Sequence, residues 1–148
     1  MATTSAASHH ILLIDNSRDG LLVRRALLEE AGYAVQIARN SEDALHLFGA
    51  GRVDVAVTEY RMPRLNGLEL ITRFRDINPA ARTVLLVEPG EASSLTEQTT
   101  GADAVVFKSF NEPAHLLRAV KRLANRTARR KPPASQPRTR VGIRAEAR

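Results

Sequence analysis

The chain has no cysteine, which excludes disulfide scaffolds, thiolate zinc sites and cysteine nucleophiles. It has no apolar run near the roughly 20 residues that a membrane span needs. Its first ten residues, MATTSAASHH, lack the basic stretch and apolar core of a secretory leader. The expectation is a soluble cytoplasmic protein without membrane contact. A Gly/Ser/Thr-rich phosphate loop is missing too. The segment after the first apolar run, Asn16-Ser17-Arg18-Asp19-Gly20, is a poor match to one, which counts against a nucleotide or flavin binder. No internal repeat is visible.

What is present suits one ordinary domain with a tail. The 148 residues are 43% hydrophobic and 26% charged, the balance of a globular protein. The net charge of +6 is unevenly spread. From Ala128 to the end stand seven basic residues (Arg129, Arg130, Lys131, Arg138, Arg140, Arg144, Arg148) and one acid, Glu146, whereas the rest of the chain is neutral overall. That tail holds three prolines and almost no apolar side chains, so it cannot bury enough surface to fold alone. The expected organisation is a flexible N-terminus over 1–8, a domain over 9–127 and a disordered basic tail over 128–148. An arginine-rich arm can bind nucleic acid through phosphates alone. The tail has no aromatic residue for base stacking. A solvated linker or a contact for an acidic protein are the other readings.

Between these ends, short apolar runs alternate with helical patterns. HHILLID (9–15), YAVQIA (33–38), 53–58, TVLLV (83–87) and 104–107 are strand-like. Helical spacing of apolar residues covers 17–31, 41–48, 68–77 and 112–126, and 91–100 is a weaker, polar candidate. Asn40 or Ser41 suits a helix cap, Gly32 a helix end and Pro113 a first turn. Five strand–helix alternations predict an α/β fold, a single doubly wound five-stranded parallel sheet with helices on both faces. The leading topology is the flavodoxin-like order 2-1-3-4-5, with any site at the C-terminal strand ends.

Those ends carry Asp15-Asn16, Thr58-Glu59-Tyr60-Arg61, Val87-Glu88 and Lys108-Ser109. Acids converging with one lysine suit a cation-assisted phosphate site, since carboxylates hold hard cations and lysine neutralises phosphate oxygens. Three stretches, ILLIDNS, DVAVTEYRMPRLNGLELI and GADAVVFKSF, resemble the response-regulator receiver domains of two-component signalling over about residues 9–126. Met62-Pro63, two residues and then Asn66-Gly67 match the family loop that follows the phosphorylation site.

The resemblance, taken residue by residue, implies an atypical member. Asp15 matches the first of the family's acidic pair, but Asn16 replaces the second acid, usually a direct magnesium ligand. Glu59 stands at the phosphoacceptor aspartate. Lys108 matches the family lysine, followed by Ser109 where proline is common. The hydroxyl position falls on Val87 or Glu88, and the switch aromatic is Val105. The implied function is a pseudo-receiver that acts by phosphorylation-independent protein–protein interaction and is not an enzyme. The alternative is a single-domain response regulator still phosphorylated in its acidic pocket. No cofactor is expected, and magnesium would bind only weakly, with Asp15 as its charged ligand. The pocket set is Asp15, Asn16, Glu59, Arg61, Glu88 and Lys108, with Arg61 folding over the acids as an internal cation. The partner would be a sensor kinase or another signalling protein, through residues 91–126, or a second copy of the chain.

Overall fold

A computed structural model describes residues 9–130. The N-terminal eight residues and 131–148, with the expected flexible start and most of the expected tail, lie outside the described residues. The elements run β1 (His10–Ile14), α1 (Arg18–Glu30), β2 (Ala34–Ala38), α2 (Ser41–Ala50), β3 (Val55–Glu59), α3 (Gly67–Ile77), β4 (Arg82–Val87), α4 (Glu97–Thr100), β5 (Ala104–Phe107) and α5 (Glu112–Arg130). The sheet is fully parallel in the order β2-β1-β3-β4-β5, the doubly wound topology expected from the alternation.

Local chemistry starts the helices. Ser17 accepts the Gly20 N–H at the head of α1, Asn40 does the same for Asp43 at α2, and Asn66 forms a reciprocal capping box with Glu69 at α3. Such caps satisfy N–H groups that lack intrahelical partners. Beyond α1, Gly32 takes φ 102°, a left-handed conformation that glycine adopts without steric cost.

Alternate strand residues feed two cores, because successive side chains point to opposite faces. On one face Ile11, Leu13, Val55, Val57, Val84 and Leu86 meet α1 and α5 through Leu21, Leu28, Leu116, Val120 and Leu123. On the other, Leu12, Ile14 and Ala56 meet α2 and α3, where the Phe48 and Phe74 rings stack with centroids 4.2 Å apart. Each fully buried side chain of this kind stabilises by about 1.5–3 kcal/mol. A smaller cluster of Ile71, Leu85, Val87 and Leu95 closes the β4 side. No helix among the described residues is long and apolar enough to cross a membrane.

Two elements differ from expectation. The polar segment 91–100 is not one helix but a 3₁₀ segment, Pro89–Ser94, followed by the single turn α4. Ser and Thr side chains compete for backbone partners: Thr96 caps α4 and exchanges hydrogen bonds with Thr99. At the other end, α5 runs four residues past the expected stop at 126. Ala128, Arg129 and Arg130, assigned to the tail from composition, are therefore helical. Alanine and arginine are among the best helix formers, so a helix already packed against the sheet propagates through them.

Candidate functional site

The parallel register sets the C-terminal ends of β1, β3, β4 and β5 side by side, with Ile14 opposite Thr58, Glu59 opposite Leu86 and Val87 opposite Phe107. Glu59, the last residue of β3, is 5% exposed. Lys108 follows β5, where its N–H still pairs with the Val87 carbonyl. Its Nζ lies 2.5 Å from Glu59 Oε2 and 3.1 Å from Glu88 Oε2. Asp15, just past β1, is 3% exposed. Its Oδ1 accepts the Ser17 N–H at 2.9 Å and its Oδ2 accepts Arg24 Nη1 at 2.7 Å. The Arg24 guanidinium also donates to both oxygens of Glu112, at 2.8 and 3.0 Å.

Burial acts against the charges of Glu59, Lys108 and Arg24, and neighbouring charges act back. Burial raises the Glu59 carboxyl above its ordinary value, and the charge of Asp15 adds to the rise. The hydrogen bond and charge of Lys108, with the charge of Arg24, only partly offset this. For Lys108 burial pulls the other way, but hydrogen bonds to Glu59 and Glu88 more than compensate and the ammonium is held above its ordinary value. Burial likewise opposes the Arg24 charge. The hydrogen bond and charge of Glu112, then Asp15 and Glu59, overcome it and hold its pKa up.

Three of the sequence-identified residues, Glu59, Glu88 and Lys108, are joined directly, and Asp15 lies close enough to add its charge to Glu59. Asn16 is set apart. It is exposed and lines an open depression of about 350 Å³ with Tyr60, Arg61, Met62, Pro63 and Asn66. Arg61 does not fold over the acids. Its side chain is 74% exposed and pairs with Glu91 of the 3₁₀ segment, whose carboxylate also accepts the Glu88 N–H. Val105 packs partly buried against the β4-side cluster, and its N–H donates to Glu97 Oε2 at 3.1 Å. Val87 is fully buried.

The cation that pairs with Asp15 is Arg24, a residue that sequence reasoning does not single out. A detectable signal existed. Leu21, Arg24 and Leu28 share one stripe, three and four residues apart, and all three are buried. Arginine on a core stripe implies a buried acid within reach.

Comparison with known proteins agrees with this architecture. The profile described as "Response regulator receiver domain" matches residues 11–121. The chain belongs to the response regulator receiver domain family. A probable transcriptional regulator, ycf27 of Cyanidium caldarium, is 27% identical over 84% of this chain and 51% of its own length. The chain thus spans about half the length of the curated relatives it matches. Among solved structures, a receiver domain protein from Clostridium thermocellum superposes with TM-score 0.74 at 26% identity, covering 81% of this chain and 97% of that one. The response regulator TrrA of Thermotoga maritima, solved with Mg(2+)-BeF, gives TM-score 0.70 at 32% identity over 78% and 98% of the two chains. TrrA also has a structure in complex with the histidine kinase ThkA.

Magnesium is the cofactor that the receiver family implies, and the residues of this receiver do not fit it. Both Asp15 oxygens are engaged, one by a backbone N–H and one by a guanidinium. The next residue supplies a neutral amide, and the Glu59 carboxylate is held by Lys108. Among the described residues no three His, Cys, Asp or Glu side chains converge as a metal site. Magnesium keeps several of its typically six oxygens as water but needs one or two carboxylates to hold it, and both buried carboxylates here are already paired with a side-chain cation.

Proposed function

We propose that this receiver is an interaction module of two-component signalling that works without phosphotransfer. The observation that carries the reading is the Glu59–Lys108 pair. At the position the resemblance gives to the phosphoacceptor aspartate stands a carboxylate one methylene longer, buried and bonded to lysine at 2.5 Å. In-line attack on a phosphoryl donor demands close placement, and an error of about 1 Å costs roughly 100-fold. Asn16 adds no charge for a metal, and buried Val87 offers no hydroxyl. Glu59 is also a weak mimic of the phosphorylated state, with about one negative charge against nearly two for a phosphoryl group.

The docking face we assign is the one spanning residues 91–126. β5 is an edge strand, and beside the short α4 its Val105 stays partly exposed and its Phe107 exposed. Val105, Phe107, His115, Arg118 and Arg122 line a depression of about 370 Å³ there. Phe107 is 45% exposed. An apolar centre whose rim carries Arg118 and Arg122 against the single acid Glu97 suits a protein surface bearing acids. The TrrA–ThkA complex supports a sensor kinase as the partner class.

The test is acetyl phosphate with magnesium, followed by intact-mass measurement. The expected spectrum shows no added phosphoryl group, and complexes with candidate kinases persist with and without the donor. A phosphoryl adduct lost in Glu59→Gln, or binding that requires the donor, would favour the phosphorylated single-domain reading. A dimer that dissociates on dilution would assign the face to a second copy instead.

A further inference from the structure

The Asp15–Arg24–Glu112 contact ties the end of β1 and helix α1 to α5, 88 residues on from Arg24. Asp15 follows β1, Arg24 lies mid-way along α1, and Glu112 opens α5. All the hydrogen bonds are of the charge-assisted kind, and the Glu112 arm is bidentate, the geometry that a guanidinium fork matches best. Arg24 is only 8% exposed. The approach also requires a gap at position 20. A Cβ on Gly20 would fall 2.7 Å from Asp15 Oδ2 and 2.8 Å from Arg24 Nη1, nearer than side chains tolerate. A missing side chain, a charge on a core stripe and an acid in the first turn of α5 thus serve a single junction.

We propose that Arg24 is the resident cation of this receiver: its guanidinium supplies, beside Asp15 and Glu59, the positive charge that a divalent ion would otherwise provide, and its grip on Glu112 fixes the pocket to α5. The crevice is thereby held in one electrostatic state, with no exchangeable ion to change it. The helix that bears Arg118 and Arg122 of the docking face starts at this junction. The functional meaning rests on the phosphorylation-independent reading, whereas the exclusion of the ion does not.

Removing the guanidinium leaves Asp15 and Glu59 with Lys108 alone, so a divalent ion becomes the available counter-charge. The full chain, Arg24→Met and Arg24→Gln are titrated with Mn2+ and followed by water-proton relaxation. Wild type shows no saturable binding. Both variants gain a site at least about tenfold tighter than any wild-type binding, the equivalent of one charge-assisted hydrogen bond, and Asp15→Asn in the same background removes it. Methionine keeps much of the side-chain length without charge, and glutamine retains an amide donor should the methionine variant prove too disruptive. If both variants are unfolded at room temperature, Mg2+ raises their melting temperature relative to ionic-strength-matched NaCl, because binding to the folded state stabilises it. Wild-type Mn2+ binding that Asp15→Asn abolishes would overturn the proposal. So would folded variants that gain no site, or unfolded ones that Mg2+ does not rescue. A phosphoryl adduct on a wild-type chain that binds no Mn2+ would sink the interaction reading alone and leave the role of Arg24 standing.

Discussion

At the scale of single residues, the crevice is a balance between burial and paired charge, and its pH response follows from the signs. Glu59 holds its proton more tightly in the folded chain than the ordinary 4.5 of an exposed glutamate. A carboxyl raised in this way destabilises the fold once ionised, and the penalty is relieved as pH falls through the folded value. The melting temperature of wild type minus that of Glu59→Gln should therefore increase on acidification through the window above 4.5. A difference that stays flat or decreases there would mean that Lys108 outweighs burial. Lys108 carries the opposite sign. Its stabilisation is complete below 10.5 and is lost as pH rises through its higher folded value. The acids and the lysine were legible from the sequence because strand ends of a parallel sheet must meet at one edge. The choice of cation was not. Arg61 is two residues from Glu59, but a side chain just past a strand end is free to turn outward, and Glu91 draws it there. Arg24 reaches Asp15 across a helix turn and a glycine gap, a relation that emerges only when the helix is set against the sheet.

At the scale of elements, two glycines give the same substitution opposite outcomes. Gly67 opens α3 directly beneath the end of β3. A Cβ there would stand 2.5 Å from the Glu59 carbonyl oxygen and 2.6 Å from Leu85 Cδ1. One of these neighbours is backbone, so the helix must move. Gly67→Ala is expected to cost about 1–3 kcal/mol, the range for overpacking, seen as a lower urea midpoint with an unchanged slope. Gly49 lies within α2 with nothing inside 4 Å of its would-be Cβ. Gly49→Ala should raise stability by up to about 1 kcal/mol, through helix propensity. Equal effects at the two sites would show that packing at the β3–α3 junction does not govern the position of Glu59. The five strands were readable as short apolar runs, and four of the helices by a clear apolar period. The segment over 91–100 was not, since its mixture of Ser, Thr and Glu specifies caps and turns as readily as a helix. The end of α5 escaped for the converse reason: composition marks a change of character at Ala128, whereas helix propagation depends on the residue types next in line.

At the scale of the whole molecule, the net charge gathers at the C-terminal end, beyond the core. Among the described residues all the core side chains fall between Ile11 and Ala124. The chain up to Thr127 carries equal numbers of acids and bases, so the entire +6 belongs to the last 21 residues. Long-range attraction to a polyanion must then come from that end and vanish with it. Five basic residues and one acid lie beyond Arg130, so deleting 131–148 leaves a net charge of +2. Binding to duplex DNA of arbitrary sequence is expected at low salt and should be lost at physiological salt or on deletion. Affinity against salt has a logarithmic slope of about −0.9 per phosphate contacted. Seven basic residues therefore set a ceiling near −6 for the tail acting alone. A steeper slope, or retention by the deleted form, would require basic residues of the folded part, with Arg118 and Arg122 of the α5 face the first to reverse in sign. Absence of any salt-sensitive binding would instead leave the tail to a protein partner, and the neutral domain to find its own by shape and local charge.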